Sequence, residues 1–481
     1  MKKDFPLIFA SCFLLIFFIF QLHFIQQPVS DNDEGIYTTT FLLISKGHSA
    51  YTQTFLSQPP GFLLSVYPLF LLFGKTLHAA RLAIVIYSMM GLISLLIIGY
   101  ELKNFWIGIL SIGLLILSQS FANQIHTFQS DGLVNAFTLI SFAMLLLFKR
   151  DKKIIWYICS IFFLNLSFWT KLSFFFVPSF FILLISILDD ERIIQNKKIY
   201  TIKKYVVEFF SLFITNQGKK LILIFIIITL LFLYLFQQLF GLSTIFNIVL
   251  GLRLSSFGKA RISPLLFAYL KQDSILLGII LSAIILTFIK NKFVFKLPIL
   301  PVLFWSVLSF AFFFFYRPLF FHHISMLAAP FVLLFSILLS RVLNKHKNIY
   351  AAIGIIICTT AVLITYIKYT KIPQYFLPNN QKQIVNIITN STKQTDEIVT
   401  DEEILNTTTQ RMPPPQLSDL SFVRIDSGNL TKEKFEQIIN ITHPKLLIPW
   451  NGRLKLLLTS NVLKQYQPLI TINRNIIYIR K

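Results

Sequence analysis

The sequence predicts a mainly α, polytopic membrane bundle of about 11 transmembrane helices with a small extracytoplasmic α/β C-terminal domain. Three observations predict it. Of 481 residues, 55% are hydrophobic, 52 are Phe and only 14% are charged, a balance foreign to soluble globular chains. Apolar runs of bilayer-spanning length recur as far as residue 370. Beyond that point they shorten to strand length.

Taken in order, Met1-Lys2-Lys3 puts the N-terminus in the cytoplasm ahead of a first span over 6–26. That run carries no Ala-x-Ala type cleavage site, so it reads as a retained span. The loop 27–81 follows outside, long enough for two short helices along the membrane surface. Spans over 82–100 and 106–122 meet at a turn carrying Lys103, and a brief outer loop then holds His126 and Asp131. The span over 132–148 ends at Lys149-Arg150-Asp151-Lys152-Lys153, a cytoplasmic marker. Two further spans flank Trp169-Thr170-Lys171, and 189–220 form a basic inner loop. A seventh span covers 221–240. In 241–272, Arg253, Lys259 and Arg261 are spaced among Leu and Phe, as in an interfacial helix or a plain amphipathic connector. Four more spans alternate across Lys290-Asn291-Lys292, Tyr316-Arg317-Pro318 with His322-His323, and Arg341 to Lys347. Lys and Arg crowd the inner loops, so an odd number of spans leaves the C-terminus outside. The transmembrane domain is 1–370 and the extracytoplasmic domain 371–481. Strands are expected at 397–400, 421–425, 445–448 and 475–479, with a capped helix over 431–440.

The net charge of +23 is scattered through short inter-helix loops, the distribution that membrane topology produces, and this argues against a nucleic-acid partner. Cys12, Cys159 and Cys358 all lie in apolar runs without metal-ligand spacing and read as packing residues.

Chemistry concentrates in the first outer loop. Asp31, Asp33 and Glu34 stand within a few residues of a lipid-embedded helix, a costly position unless a cavity, cation or substrate receives them. The competing reading is a solvated loop whose acids cap the next helix. Other ionisable groups near the outer face are His48, Arg81, His126, Asp131, Lys171, Arg253, Lys259, Arg261, Arg317, His322 and His323. Acids suit deprotonation of a hydroxyl, or a divalent cation; bases suit a phosphate leaving group. That pairing describes transfer from a phosphate-activated donor to a hydroxyl or amine. A proton-coupled carrier would instead bury charges mid-helix, and these spans are almost free of them.

Asp33-Glu34, Tyr37, Lys46-Gly47, Tyr51, Gln58-Pro59-Pro60, Phe73-Gly74 and Ala80-Arg81 together resemble the first outer loop of GT-C membrane glycosyltransferases. The branch resembled contains the protein O-mannosyltransferases and the lipid A aminoarabinose transferases. Ser130-Asp131-Gly132, Lys171, Arg317 and His322-His323 add weaker matches, and the resemblance spans the whole chain. It implies an inverting transferase of the bacterial inner membrane. The donor would be a polyprenyl-phosphate sugar, and the acceptor a lipid, glycan or protein. Asp33 would be the general base and Glu34 its support. Arg81, Lys171 and Arg317 would hold the donor phosphate, and Tyr37, Tyr51, Gln58, Asp131, His322 and His323 would contact substrate. Asp31 and Asp33 make a DxD-like spacing that would hold a divalent cation if one is used. The sequence reads as departing from the better-known members in lacking a MIR-type domain and an extended aminoarabinose-transferase tail, so neither of their specific substrates is expected from the resemblance alone. A carrier or flippase for polyprenyl-linked saccharides is the alternative. An O-antigen ligase or polymerase is disfavoured, because the longest membrane-embedded outer loop is the first one and is acidic.

Overall fold

The computed structural model describes residues 4–29, 31–102, 104–189, 215–251, 264–289, 299–316, 319–371 and 379–481. Three of its early helices start where a short polar side chain satisfies one of the first backbone N–H groups. After α1 (Phe5–Phe24), α2 (Asn32–Ser45) is capped by Asp31, whose Oδ1 accepts from the Asp33 amide at 3.0 Å. Asp33 and Glu34 then occupy the first turn, where the helix dipole favours negative charge. Pro59-Pro60 open α3 (Pro60–Leu72), because proline at the first helical position sacrifices no hydrogen bond. Thr76 caps α4 (Leu77–Glu101) through the Ala79 amide at 3.2 Å, and Asn104 caps α5 (Phe105–Leu117). The chain continues through α6 (Gln119–Gln124), α7 (Ser130–Asp151) and α8 (Ile154–Lys171). At Gly61, α3 lies so close to α8 that a Cβ would meet the Trp169 carbonyl carbon at 2.6 Å. Only glycine permits that approach, and it brings the outer loop against Lys171.

Among the described residues, seven helices are long and apolar enough to cross a membrane: α1, α4, α7, α8, Asn216–Phe240, Phe321–Val342 and Lys347–Thr370. An eighth arises if Leu265–Gln272 and Ser274–Phe288, bent by 105°, form one broken span. Asp273 sits at that break. Its Oδ2 accepts from Ser118 Oγ at 2.7 Å and from the Ser120 amide at 2.8 Å, while Oδ1 caps the second half through Leu276. The remaining predicted spans are the shorter apolar helices Phe105–Leu117, Phe174–Ile187 and Ile299–Phe315. Each expected span therefore has its helix, but length and composition do not establish a count of 11. The expected interfacial cations Arg253, Lys259 and Arg261, and most of the basic loop 189–220, lie outside the described residues.

The C-terminal segment builds a four-stranded mixed sheet in the order β1-β2-β4-β3. β1 (Ile398–Thr400) runs parallel to β2 (Leu446–Ile448), and β4 (Asn475–Arg480) is antiparallel to both β2 and β3 (Tyr466–Ile472). Asn473 and Arg474, at φ of 48° and 66°, make the β3–β4 turn, and two positive-φ residues suit the twist of a hairpin. The expected helix is present as Lys432–Thr442 behind the Thr431 cap. The strand expected at 421–425 is instead a short helix, Phe422–Asp426. Asp419 Oδ1 accepts from the Ser421 amide at 2.7 Å, a side-chain turn that directs the chain into helix rather than sheet.

This segment is packed directly against α2. Thr39 Oγ1 donates to the Glu403 carbonyl at 3.0 Å, and a Cβ on Gly35 would come within 2.7 Å of the Ile404 amide nitrogen. Ser418 Oγ reaches the Phe55 carbonyl at 3.4 Å.

Candidate active site

A cavity of about 480 Å³ opens where α2, the 55–58 loop, α6, the start of α7, the end of α8, the turn around 320–323 and the C-terminal segment meet. Of the residues the sequence singles out, Asp31, Asp33, Tyr37, Gln58, Asp131, Lys171, His322 and His323 line it.

Asp33 is held by a short relay. Tyr37 lies one helical turn on and donates to Asp33 Oδ2 at 3.3 Å. Gln58 Nε2 donates to the Tyr37 oxygen at 2.6 Å, and Tyr51 fixes the Gln58 carbonyl at 2.8 Å. Tyr51 therefore stands behind the wall rather than in it. Burial, reinforced by the charges of Asp31 and Asp419, pushes the Asp33 carboxyl up to about 6, against the pull of His322 and Lys171. Burial and the Asp33 charge raise the Tyr37 phenol, so it stays protonated as a donor.

Asp31 divides its carboxylate between the α2 cap and His322 Nδ1, 3.4 Å from Oδ2. Burial opposes its ionisation, but His322 and the Asp33 amide outweigh that and hold it below the usual carboxylate range. No group of three His, Cys, Asp or Glu side chains able to hold a metal ion occurs among the described residues. The DxD-like spacing places Asp31 at the cap of α2 and Asp33 in its first turn.

Glu34 and Arg81 are brought together, away from the cavity. Both Glu34 oxygens accept from Arg81, at 2.7 and 2.6 Å, and Oε1 also accepts from the Phe128 amide at 2.8 Å. Arg81 spends further donors on the carbonyls of Ile25 at 2.9 Å and Gln27 at 2.7 Å. Lys171 pairs with Asp131 at 2.5 Å, and this buried pair does face the cavity. Asp131 Oδ1 has no hydrogen-bond partner among the described residues. His323 Nδ1 accepts from the Phe320 amide at 3.1 Å. Arg317 lies outside the described residues.

Among the lining residues that escape the sequence reading are Asp419, Phe422, Arg424 and Arg453, all from the C-terminal segment. Arg424 lies 4.1 Å above the Phe55 ring and donates to the carbonyls of Asp419 and Gln416 at 2.7 and 2.8 Å. Burial lowers its guanidinium to about 10. Arg453 pairs with Glu403 at 3.0 Å and also donates to the Asp401 carbonyl. Burial pushes Glu403 up to about 8 despite that partner. The only sequence signal near them is the Asp419-Leu420-Ser421 turn pattern, which predicts a bend and no chemistry.

The bundle, the two-helix loop after α1 and the appended mixed sheet together have a GT-C fold like that of the solved protein ArnT. ArnT from Cupriavidus metallidurans bound to undecaprenyl phosphate superposes with a TM-score of 0.67 at 11% identity, covering 99% of this chain and 98% of that chain. The apo state of the same protein gives 0.65 at 12% identity with the same coverage. No protein-family model matches the chain, and no curated protein matches it in sequence.

Proposed function

We propose that this multi-pass membrane protein transfers a sugar from a polyprenyl-phosphate donor to an acceptor hydroxyl, with inversion, at the outer face of the bacterial inner membrane. The observation that carries the reading is Asp33, a carboxylate poised near 6 on the cavity wall and oriented by Tyr37 and Gln58. A full-length structural likeness to a protein captured with undecaprenyl phosphate supports the donor class. In the proposed step the acceptor oxygen attacks the anomeric carbon while Asp33 takes its proton. The bond from that carbon to the phosphate oxygen breaks, and its electron pair leaves with the polyprenyl phosphate. A single in-line displacement inverts the centre.

Lys171 is assigned to the leaving phosphate, because it is the cation of α8 that lines the cavity and Asp131 holds it in place. Arg317 remains a second candidate for that role. Glu34 and Arg81 become supports that fix the loop carrying Asp33. The C-terminal domain 371–481 belongs on the reaction side, since it lines the same cavity.

The test is reconstitution of the full chain in lipid with an undecaprenyl-phosphate sugar. Wild-type protein should consume the donor, and Asp33→Asn should not. Movement of the lipid-linked sugar across the bilayer without cleavage of its phosphate bond would favour the carrier reading.

A further inference from the structure

We propose that the C-terminal segment forms the acceptor subsite, and that the acceptor presents a sugar ring. The proposal rests on the transferase reading above. Asp419 is buried at the cavity wall yet keeps one oxygen uncommitted: Oδ1 accepts from the Ser421 amide at 2.7 Å, and Oδ2 has no hydrogen bond among the described residues. Its backbone is pinned as well, because its carbonyl accepts from Arg424 at 2.7 Å. A rigid carboxylate with one open oxygen suits an acceptor hydroxyl, which donates one proton and is thereby oriented.

Phe422, three residues on, lines the same cavity with 52% of its surface exposed. An exposed aromatic ring at a cavity mouth offers a flat apolar platform. Its electron-rich face matches the row of polarised C–H bonds on one side of a sugar ring. Arg424 and Arg453 complete the wall with planar donors beside the acid, so neighbouring hydroxyls could be both accepted from and donated to. Asp419 is also close enough to raise the Asp33 carboxyl. A ring seated on Asp419 and Phe422 would therefore present a hydroxyl towards the base. Lys171 approaches the cavity from α8, so donor and acceptor would enter from different walls.

The experiment uses the full chain in lipid with undecaprenyl-phosphate sugars as donors and three acceptor probes: octyl glycosides, a Ser/Thr peptide and a fatty alcohol. Octyl glycosides should be accepted. Asp419→Asn should raise their KM roughly 10- to 100-fold by removing a hydrogen bond to a charged group, while the donor KM holds. Phe422→Ala should raise it about fivefold by removing the ring platform, and it tests the proposal even if the Asp419 variant fails to fold. Exclusive use of the peptide or the alcohol would overturn the sugar-ring acceptor. So would an unchanged glycoside KM in both variants. Asp33→Asn separates the two readings: if it is inactive while Asp419→Asn and Phe422→Ala keep a wild-type glycoside KM, only the acceptor subsite falls. Failure of wild-type protein to cleave any undecaprenyl-phosphate sugar would bring down the transferase reading, and this one with it.

Discussion

Two of the buried ion pairs, Arg81–Glu34 and Lys171–Asp131, are built to different standards. The first is saturated. Its carboxylate takes two contacts from Arg81 and one from a backbone amide, and its guanidinium ties down the carbonyls that follow α1. The second leaves Asp131 Oδ1 without a partner among the described residues and faces the cavity. Both are equally hidden from bulk solvent, at 1% and 0% against 4% and 1% exposure. Burial therefore does not separate scaffold from site here. Satisfaction does: a finished pair holds structure, and an unfinished one keeps capacity for something not yet bound.

The comparison can be broken at several points. The largest effect is expected from Arg81→Met, which strands Glu34 in the interior and should cost about 3–5 kcal/mol, read as loss of folded protein in detergent-based thermal unfolding. Adding Glu34→Gln should recover part of that loss. A stable Arg81→Met protein with only donor binding impaired would return Arg81 to the phosphate. Next comes Asp33→Asn, expected to lower kcat by roughly 10²- to 10⁴-fold while the unfolding curve stays put. A parallel drop in stability would make Asp33 part of the scaffold instead.

Lys171→Gln should sharpen the contrast. If this pair serves the donor, the variant should raise donor KM roughly 10- to 100-fold and unfold less readily than Arg81→Met, because a Gln amide can still donate to Asp131 where Met leaves Glu34 without its partner. Equal destabilisation of the two variants would erase the difference between the two pairs. The smallest effect concerns pH. If Asp33 serves as the base it works only when ionised, so activity should rise as pH passes through about 6, the position set by burial, Asp31 and Asp419 against His322 and Lys171. Asp31→Asn keeps the helix cap but removes a like charge, so the inflection should move to lower pH. An unmoved inflection would place the titrating group elsewhere.

The sequence reached the fold and half of this chamber for a physical reason. Charges beside lipid are conspicuous, so Asp33, Asp131 and Lys171 stood out against apolar spans. Glu34 and Arg81 stood out equally, but their union across 47 positions is a tertiary fact that no local pattern carries. Asp419, Arg424 and Arg453 were hidden by their surroundings, since acids and bases are ordinary in a soluble-looking domain. Periodicity misread 421–425 because a β-like run of Phe, Val and Ile is overridden by the Asp419 turn and the seating of Arg424 on Phe55.

The contact between Gly35 and Ile404 also imposes an order in time. A chain leaving the ribosome makes α2 early, yet the surface against which α2 closes arrives several hundred residues later. Until residue 404 and its neighbours exist, Asp33 has neither its final seat nor the opposing carboxylate of Asp419. The nascent protein would thus pass through most of its synthesis with the wall around Asp33 unfinished, and the cavity would be complete only when the last segment docks.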